Sequence, residues 1–217
     1  MRSLAIALRG TPLKVLCLGA HSDDIEIGCG GTVLTLIASH PEIEFDWVVL
    51  SATEKRRKEA EAGAAAFLSW AARARVTVEG FRDGYFPYIG ERLKDFFELL
   101  KKSVKTDLIF TPHRHDLHQD HRLVSELTWN TFRDQLILEY EIPKYDGDLG
   151  APNVFIPLDE RICEAKSKII LKHFRTQAAN GWFTAETFLA LMRLRGVESN
   201  APAGYAEAFY GRKLVIA

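Results

Sequence analysis

Apolar residues in this chain come in two textures that alternate. Short, nearly continuous runs read as buried strands, and longer stretches carry apolar positions at helical spacing. The first run, residues 14–20 (Lys14-Val15-Leu16-Cys17-Leu18-Gly19-Ala20), predicts a strand. A helix follows from residue 28 or 31 to 39, with Val33, Leu34, Leu36 and Ile37 on its apolar face and His40-Pro41 ending it. Strands are predicted over residues 45–52, 75–79 and 107–111, with helices over 54–72, 90–102 and 119–131. Strand and helix thus alternate four times, the signature of a parallel sheet covered by helices on both faces.

In the usual doubly wound order, 3-2-1-4, strands one and four are neighbours, and the crevice at their carboxyl ends is where ligands bind. Beyond residue 135 the pattern is less regular. Strands are expected at 136–142 and 153–158, and a helix from the Asp159 cap to about 174. A short helix at 184–195 and a last strand at 205–216 complete the chain. The expectation is one domain over residues 1–217, with 143–205 as a possible substrate-shaping lobe.

Composition narrows the class. The 217 residues are 47% hydrophobic with a net charge of −1, enough to bury a full core and without the basic face that a nucleic acid would require. Three well-separated cysteines, Cys17, Cys29 and Cys163, imply no disulfide framework and suit a reducing cytoplasm. The apolar patch in residues 1–13 has the wrong order for a signal peptide, and no run reaches the ~20 apolar residues of a membrane span.

The chemistry sits at the two strand ends that the topology makes neighbours. His21-Ser22-Asp23-Asp24 follows strand one, and His118-Gln119-Asp120-His121 follows strand four. Imidazoles and carboxylates together suit a divalent metal, and a catalytic zinc takes three protein ligands while keeping a position open. His21, Asp24 and His121 supply that set, for Zn²⁺ or another divalent ion such as Fe²⁺. Asp23 is placed to act as general base on a water. His118 is placed to stabilise a developing oxyanion or protonate a leaving amine. Asp120 can orient an imidazole from behind.

Other residues invite weaker readings. Gly28, Gly30 and Gly31 do not complete a dinucleotide fingerprint, because Val33 stands where the third glycine belongs, and the acidic turn repels phosphate. They are read as close-packing positions under the site. No cofactor-binding set other than the metal is expected. Lys55-Arg56-Arg57-Lys58 reads as the solvated first turn of a helix rather than a localisation signal, with room for one arginine to point into the crevice. Asp83 either contacts a polar substrate or is a turn aspartate before Gly84. Tyr85, Phe86 and Tyr88 are rim or core, and Trp182, Phe183 and Phe188 are core or interface. His113 and His115 are read as solvated loop residues, and Cys29 as a small packed residue.

Taken together, His21-Ser22-Asp23-Asp24-Ile25-Glu26-Ile27-Gly28-Cys29-Gly30-Gly31 resembles the His-Pro-Asp-Asp-Glu…Gly-Cys-Gly-Gly signature of the PIG-L/LmbE-like zinc-dependent N-deacetylases. His118-Gln119-Asp120-His121-Arg122 resembles their His-Pro-Asp-His-Arg motif. Arg56-x-x-Glu59-Ala60 and Tyr205-Ala206-Glu207-Ala208-Phe209 are similar to two further family motifs. The resemblance implies a Rossmann-like α/β fold and a zinc on His21, Asp24 and His121. It also implies Asp23 as base, His118 as its electrostatic or acid partner, and substrate contacts from Arg56 and Asp83. The implied partner is a small molecule carrying an N-acetylated amino sugar, such as an N-acetylglucosamine glycoside, conjugate or sugar nucleotide. A homo-oligomer is compatible with it. Ser22, Ile25 and Gln119 depart from the family pattern, and none of them is a proposed ligand or base. A non-catalytic metal- or sugar-binding protein on the same fold is the competing reading.

Overall fold

The computed structural model describes residues 12–214, so the apolar patch in residues 1–11 and the end of the expected last strand lie outside the described residues. Seven strands form one sheet in the order β3-β2-β1-β4-β5-β7-β6. The strands are β1 (Lys14–Gly19), β2 (Glu44–Val49), β3 (Arg73–Val78), β4 (Leu108–Pro112), β5 (Leu136–Tyr140), β6 (Val154–Leu158) and β7 (Tyr205–Gly211). The helices are α1 (Asp24–Ser39), α2 (Glu54–Phe67), α3 (Gly90–Ser103), α4 (Gln119–Thr131), α5 (Glu160–His173) and α6 (Ala185–Ser199).

The first five strands run parallel in the doubly wound order expected from the alternation. β1 and β4 are direct neighbours, with Val15 opposite Leu108 and Cys17 opposite Phe110, so their carboxyl ends open side by side. β7 then inserts antiparallel between β5 and β6. Both faces of β1 are buried. One carries Val15 and Cys17 into a core with Trp47, Phe67, Tyr140 and Phe209, and the other carries Leu16 and Leu18 against Phe86, Phe97 and Val124. A strand buried on both faces reads as an unbroken apolar run, which is why the sequence pattern locates β1 so cleanly.

α1 begins at Asp24, a full turn before the expected start at residue 28 or 31. The glycine run that suggested a late start is instead inside the helix. A Cβ at Gly28 would lie 2.1 Å from the Tyr140 ring, and one at Gly30 would lie 2.7 Å from Phe67. Glycine therefore serves close packing here, and the acidic pair Asp23-Asp24 suits the helix N-terminus. At the back of this helix Glu207, on β7, takes the amides of Gly31 (2.8 Å) and Thr32 (2.6 Å), while Lys166, on α5, donates to the Ile27 carbonyl (2.6 Å) and to Glu207 (2.6 Å). An interior ion pair thus bonds directly to the helix backbone along the glycine segment.

His113 corrects a further expectation. It is buried, its Nδ1 pairs with Glu139 at 2.8 Å, and its ring stacks on Tyr210 at 3.7 Å between centroids. It ties β4 to β5 and β7, whereas His115 is exposed as expected. Of the aromatics, Phe86, Phe183 and Phe188 are core, while Tyr85 and Tyr88 are exposed. The three cysteines are buried and free.

Candidate metal centre

β1 ends at Gly19, and the turn that follows carries His21 to the rim of the sheet before Asp23 and Asp24 open α1. Asp24 Oδ2 folds back to accept the His21 amide at 2.7 Å, which locks the turn. From β4, the loop after Pro112 delivers His118 as the N-cap of α4 and His121 one turn into it. The expected convergence of the two segments is therefore present. His21 Nδ1 lies 3.2 Å from His121 Nε2 and 3.6 Å from Asp24 Oδ2, and His121 Nε2 lies 3.4 Å from the same oxygen.

The opposite edges of both rings decide what that triangle is. His21 Nε2 faces Asp83 Oδ1 at 3.0 Å and Asp120 Oδ2 at 3.3 Å. His121 Nδ1 faces Asp116 Oδ2 at 2.9 Å. Carboxylates only accept, so each of those nitrogens carries its proton outward. In the neutral rings, two imidazole lone pairs and a carboxylate oxygen then point at one another. Ligands bonded at 2.0–2.1 Å with tetrahedral angles lie about 3.4 Å apart, which is the spacing seen here. The residues fit a divalent cation. His118 completes a triad of imidazoles with His21 and His121, and His21, Asp83 and Asp120 form an adjoining group of potential ligand atoms.

Without a cation the cluster holds protons instead. Burial pulls the His21 ring down, but its hydrogen bonds to Asp120, Asp24 and Asp83 outweigh it and set its pKa well above the usual value. Burial likewise opposes charge on His121, and Asp24 and Asp116 overcome it, raising this pKa to about 9. Burial pushes Asp24 up, and the two imidazoles more than reverse that, leaving it well below the ordinary carboxylate range.

Asp23 behaves differently. Burial raises its pKa, and the Arg56 guanidinium, bonded to Oδ1 at 2.7 Å, offsets this only in part. Arg56 is thus the arginine of α2 that reaches the crevice, and its first partner is Asp23. His118 accepts the Asp120 amide through Nδ1 at 3.2 Å, so in the neutral ring the proton is on Nε2. Burial and the neighbouring His121 and His21 depress its pKa, which favours that neutral form. Asp120 is fully buried behind His21 and does not reach the crevice. Its carboxylate takes the amides of Gly84 (2.7 Å) and Phe86 (3.1 Å), fixing the loop that carries Asp83.

Two residues of the site were not singled out from sequence. Asp116 grips His121, and Lys144 donates to Asp116 at 3.0 Å while also binding Asp148. The signal for Asp116 was an acid in the loop between a strand end and a histidine pair. Nothing in sequence pointed to Lys144, which joins the site from the β5–β6 loop. The open space in front of the cluster is a crevice of about 300 Å³, walled by Arg56, Asp83, Tyr145, Asp146, Asn180 and Trp182 among others. Cys29 lies in the core and takes no part.

A mostly parallel α/β sheet with a buried His/Asp cluster at its switch point defines an α/β protein whose site is able to coordinate a divalent metal. The sequence profile of the family described as PIG-L: GlcNAc-PI de-N-acetylase matches residues 16–132, more than half of the chain, and the chain belongs to this PIG-L/LmbE-like family. Its fold is shared by the conserved protein TT1542 of Thermus thermophilus, with 21% identity, 94% of this chain and 97% of that one covered, and a TM-score of 0.76. The N,N'-diacetylchitobiose deacetylase of Pyrococcus horikoshii aligns at 24% identity over 91% of this chain and 83% of its own, with a TM-score of 0.70. GalB of Pseudomonas putida, described as a 4-carboxy-2-hydroxymuconate hydratase, aligns at 16% identity over 94% and 98%, with a TM-score of 0.69. Proteins described by different reactions share this fold, so the site's own chemistry has to identify the reaction.

Proposed function

We propose that this protein is a metal-dependent hydrolase that removes the acetyl group from an N-acetylated amino sugar. The observation that carries the reading is the triangle of His21 Nδ1, His121 Nε2 and Asp24 Oδ2, whose edges of 3.2, 3.4 and 3.6 Å suit one cation. Membership of a family described by a de-N-acetylase activity supports it. So does the shared fold with a diacetylchitobiose deacetylase.

In this reading His21, Asp24 and His121 hold the ion, and two nitrogens with one oxygen suit Zn²⁺, with Fe²⁺ as the alternative. The bound ion would supply Lewis-acid activation of water and of the amide carbonyl. Asp23, which lines the crevice with one carboxylate oxygen held by Arg56, takes the proton of the attacking water. The water oxygen joins the acyl carbon, the carbon–nitrogen bond breaks, and the proton held by Asp23 passes to the departing amine. Acetate and a free amino sugar result. His118, neutral with its proton on Nε2, donates to the amide oxygen as negative charge develops there. Asp120 and Asp116 are positioning residues that keep His21 and His121 in the ligating tautomer. Asp83 and Arg56 contact the sugar.

An acetate-release screen over N-acetylated sugars and sugar nucleotides tests the reading. Release is expected from the metal-loaded protein, lost on chelation and restored by the ion. Release that survives both chelation and Asp23→Asn would overturn it.

A further inference from the structure

The crevice carries two cationic side chains among its lining residues, and each already faces a carboxylate. Arg56 is bonded to Asp23 at 2.7 Å. Lys144 contacts Asp116 at 3.0 Å, Asp148, and Asp146 at 4.0 Å, and its side chain is only 10% exposed. The exposed charges among the lining residues are carboxylates. Asp83, whose side chain is 65% exposed, uses one oxygen on His21, and Asp146 is 42% exposed with only the distant Lys144 contact. They come from different loops, Asp83 after β3 and Asp146 after β5, and both line the same crevice.

The helix N-termini at the site carry acids in their first turns. Helix N-termini attract anions through free amides and the dipole. Here α1 carries Asp24 and Glu26 in its first turn, and α4 is capped by His118 with Asp120 in its first turn. Asp116, Asp120 and Asp148 stand close behind the crevice wall. Carboxylates therefore outnumber positive charges even with a divalent cation bound. A cleft lined by one sign of charge concentrates ligands of the other sign and excludes its own.

We propose that this crevice selects a neutral or amine-bearing aminoglycan and excludes phosphate-bearing sugars, with Asp83 and Asp146 as the residues that set the preference. The proposal rests on the amino-sugar deacetylase reading and narrows its substrate class, removing sugar nucleotides and phosphoinositide conjugates. A glycan that already carries a free amine on a neighbouring ring would place an ammonium between the two acids. The aromatic faces of Trp182 and Tyr145, which line the same crevice, give the uncharged sugar rings a surface to pack on.

Calorimetric titration of the zinc-loaded protein tests this with three probes: the β-1,4-linked glucosamine disaccharide, its N,N'-diacetyl form, and N-acetylglucosamine 1-phosphate. The expected order is amine-bearing tightest, diacetyl next, and the phosphate at least tenfold weaker than the diacetyl form. The spread should shrink several-fold between low and high salt, because it is carried by exposed charges. Asp146→Lys should narrow the gap between phosphate and diacetyl probes by threefold or more. Binding of the phosphate probe as tight as the diacetyl probe, or no binding of any probe, would overturn the proposal. Acetate release is read separately on the same preparations. Its absence with every substrate would sink the deacetylase reading, while the titration still reports the charge preference.

Discussion

α1 has a buried charged constellation at each side, and they are built on opposite terms. At its front, His21, Asp24 and His121 aim lone pairs at a common point with no protein donor between them. At its back, Lys166 and Glu207 bond to each other and to the helix backbone, so that both charges meet partners inside the protein. A second closed set lies nearby, where Arg195 bonds both oxygens of Glu141, at 2.8 and 2.9 Å. A structural cluster satisfies its own charge, and removing one partner strands the other in a low-dielectric interior. A ligand site leaves the unsatisfied lone pairs where a cation can take them.

That contrast predicts different failures at the two sides. The largest effect is expected for Asp23→Asn, which should lower acetate release by about 10²–10⁴-fold with metal content unchanged. Comparing turnover with metal analysis on the same sample checks it, and full activity would remove Asp23 as the base. Glu207→Gln should instead cost about 3–5 kcal/mol of folding stability in denaturant titration, by leaving Lys166 buried and unpaired. The folded fraction should still bind metal. If the substitution abolished metal binding without loss of stability, the back of α1 would belong to the site.

Smaller effects test how the front is held. Asp116→Asn, which keeps the shape but weakens the grip on His121 Nδ1, should reduce metal affinity about 10–100-fold. Lys144→Met frees Asp116 from a competing cation and should change metal affinity in the other direction, by severalfold at most. The mildest test is pH. In the metal-free protein the His121 pKa of about 9 exceeds its unfolded value, so its contribution to stability is complete below about pH 6.5 and is lost as pH rises through 9. Thermal unfolding of the chelated protein should therefore weaken over that window, by on the order of 1–3 kcal/mol. Metal affinity should strengthen over the same window, because the ion displaces protons from the rings.

Most of what positions the site was readable from the chain. Two-sided burial makes β1 and β4 apolar runs, and their adjacency follows from alternation and handedness, which brings His21 and His121 together before any contact is known. The parts that escaped depend on tertiary partners. The glycine run looked like a late helix start, because only the positions of Tyr140 and Phe67 show that it packs inside α1. His113 looked solvated, because its partners Glu139 and Tyr210 sit on strands distant in sequence. The insertion of β7 between β5 and β6 leaves no periodic trace. Lys144 enters the site through a loop contact that spacing cannot foretell.

X-ray absorption on the zinc-loaded protein addresses the cation triangle itself. One ion per chain is predicted, with a nitrogen/oxygen shell at about 2.0–2.1 Å, scattering from two imidazoles, and no sulfur. The His21→Ala and His121→Ala variants should each lose one of the two imidazole signals. A sulfur shell, or a zinc environment unchanged by both substitutions, would contradict the account.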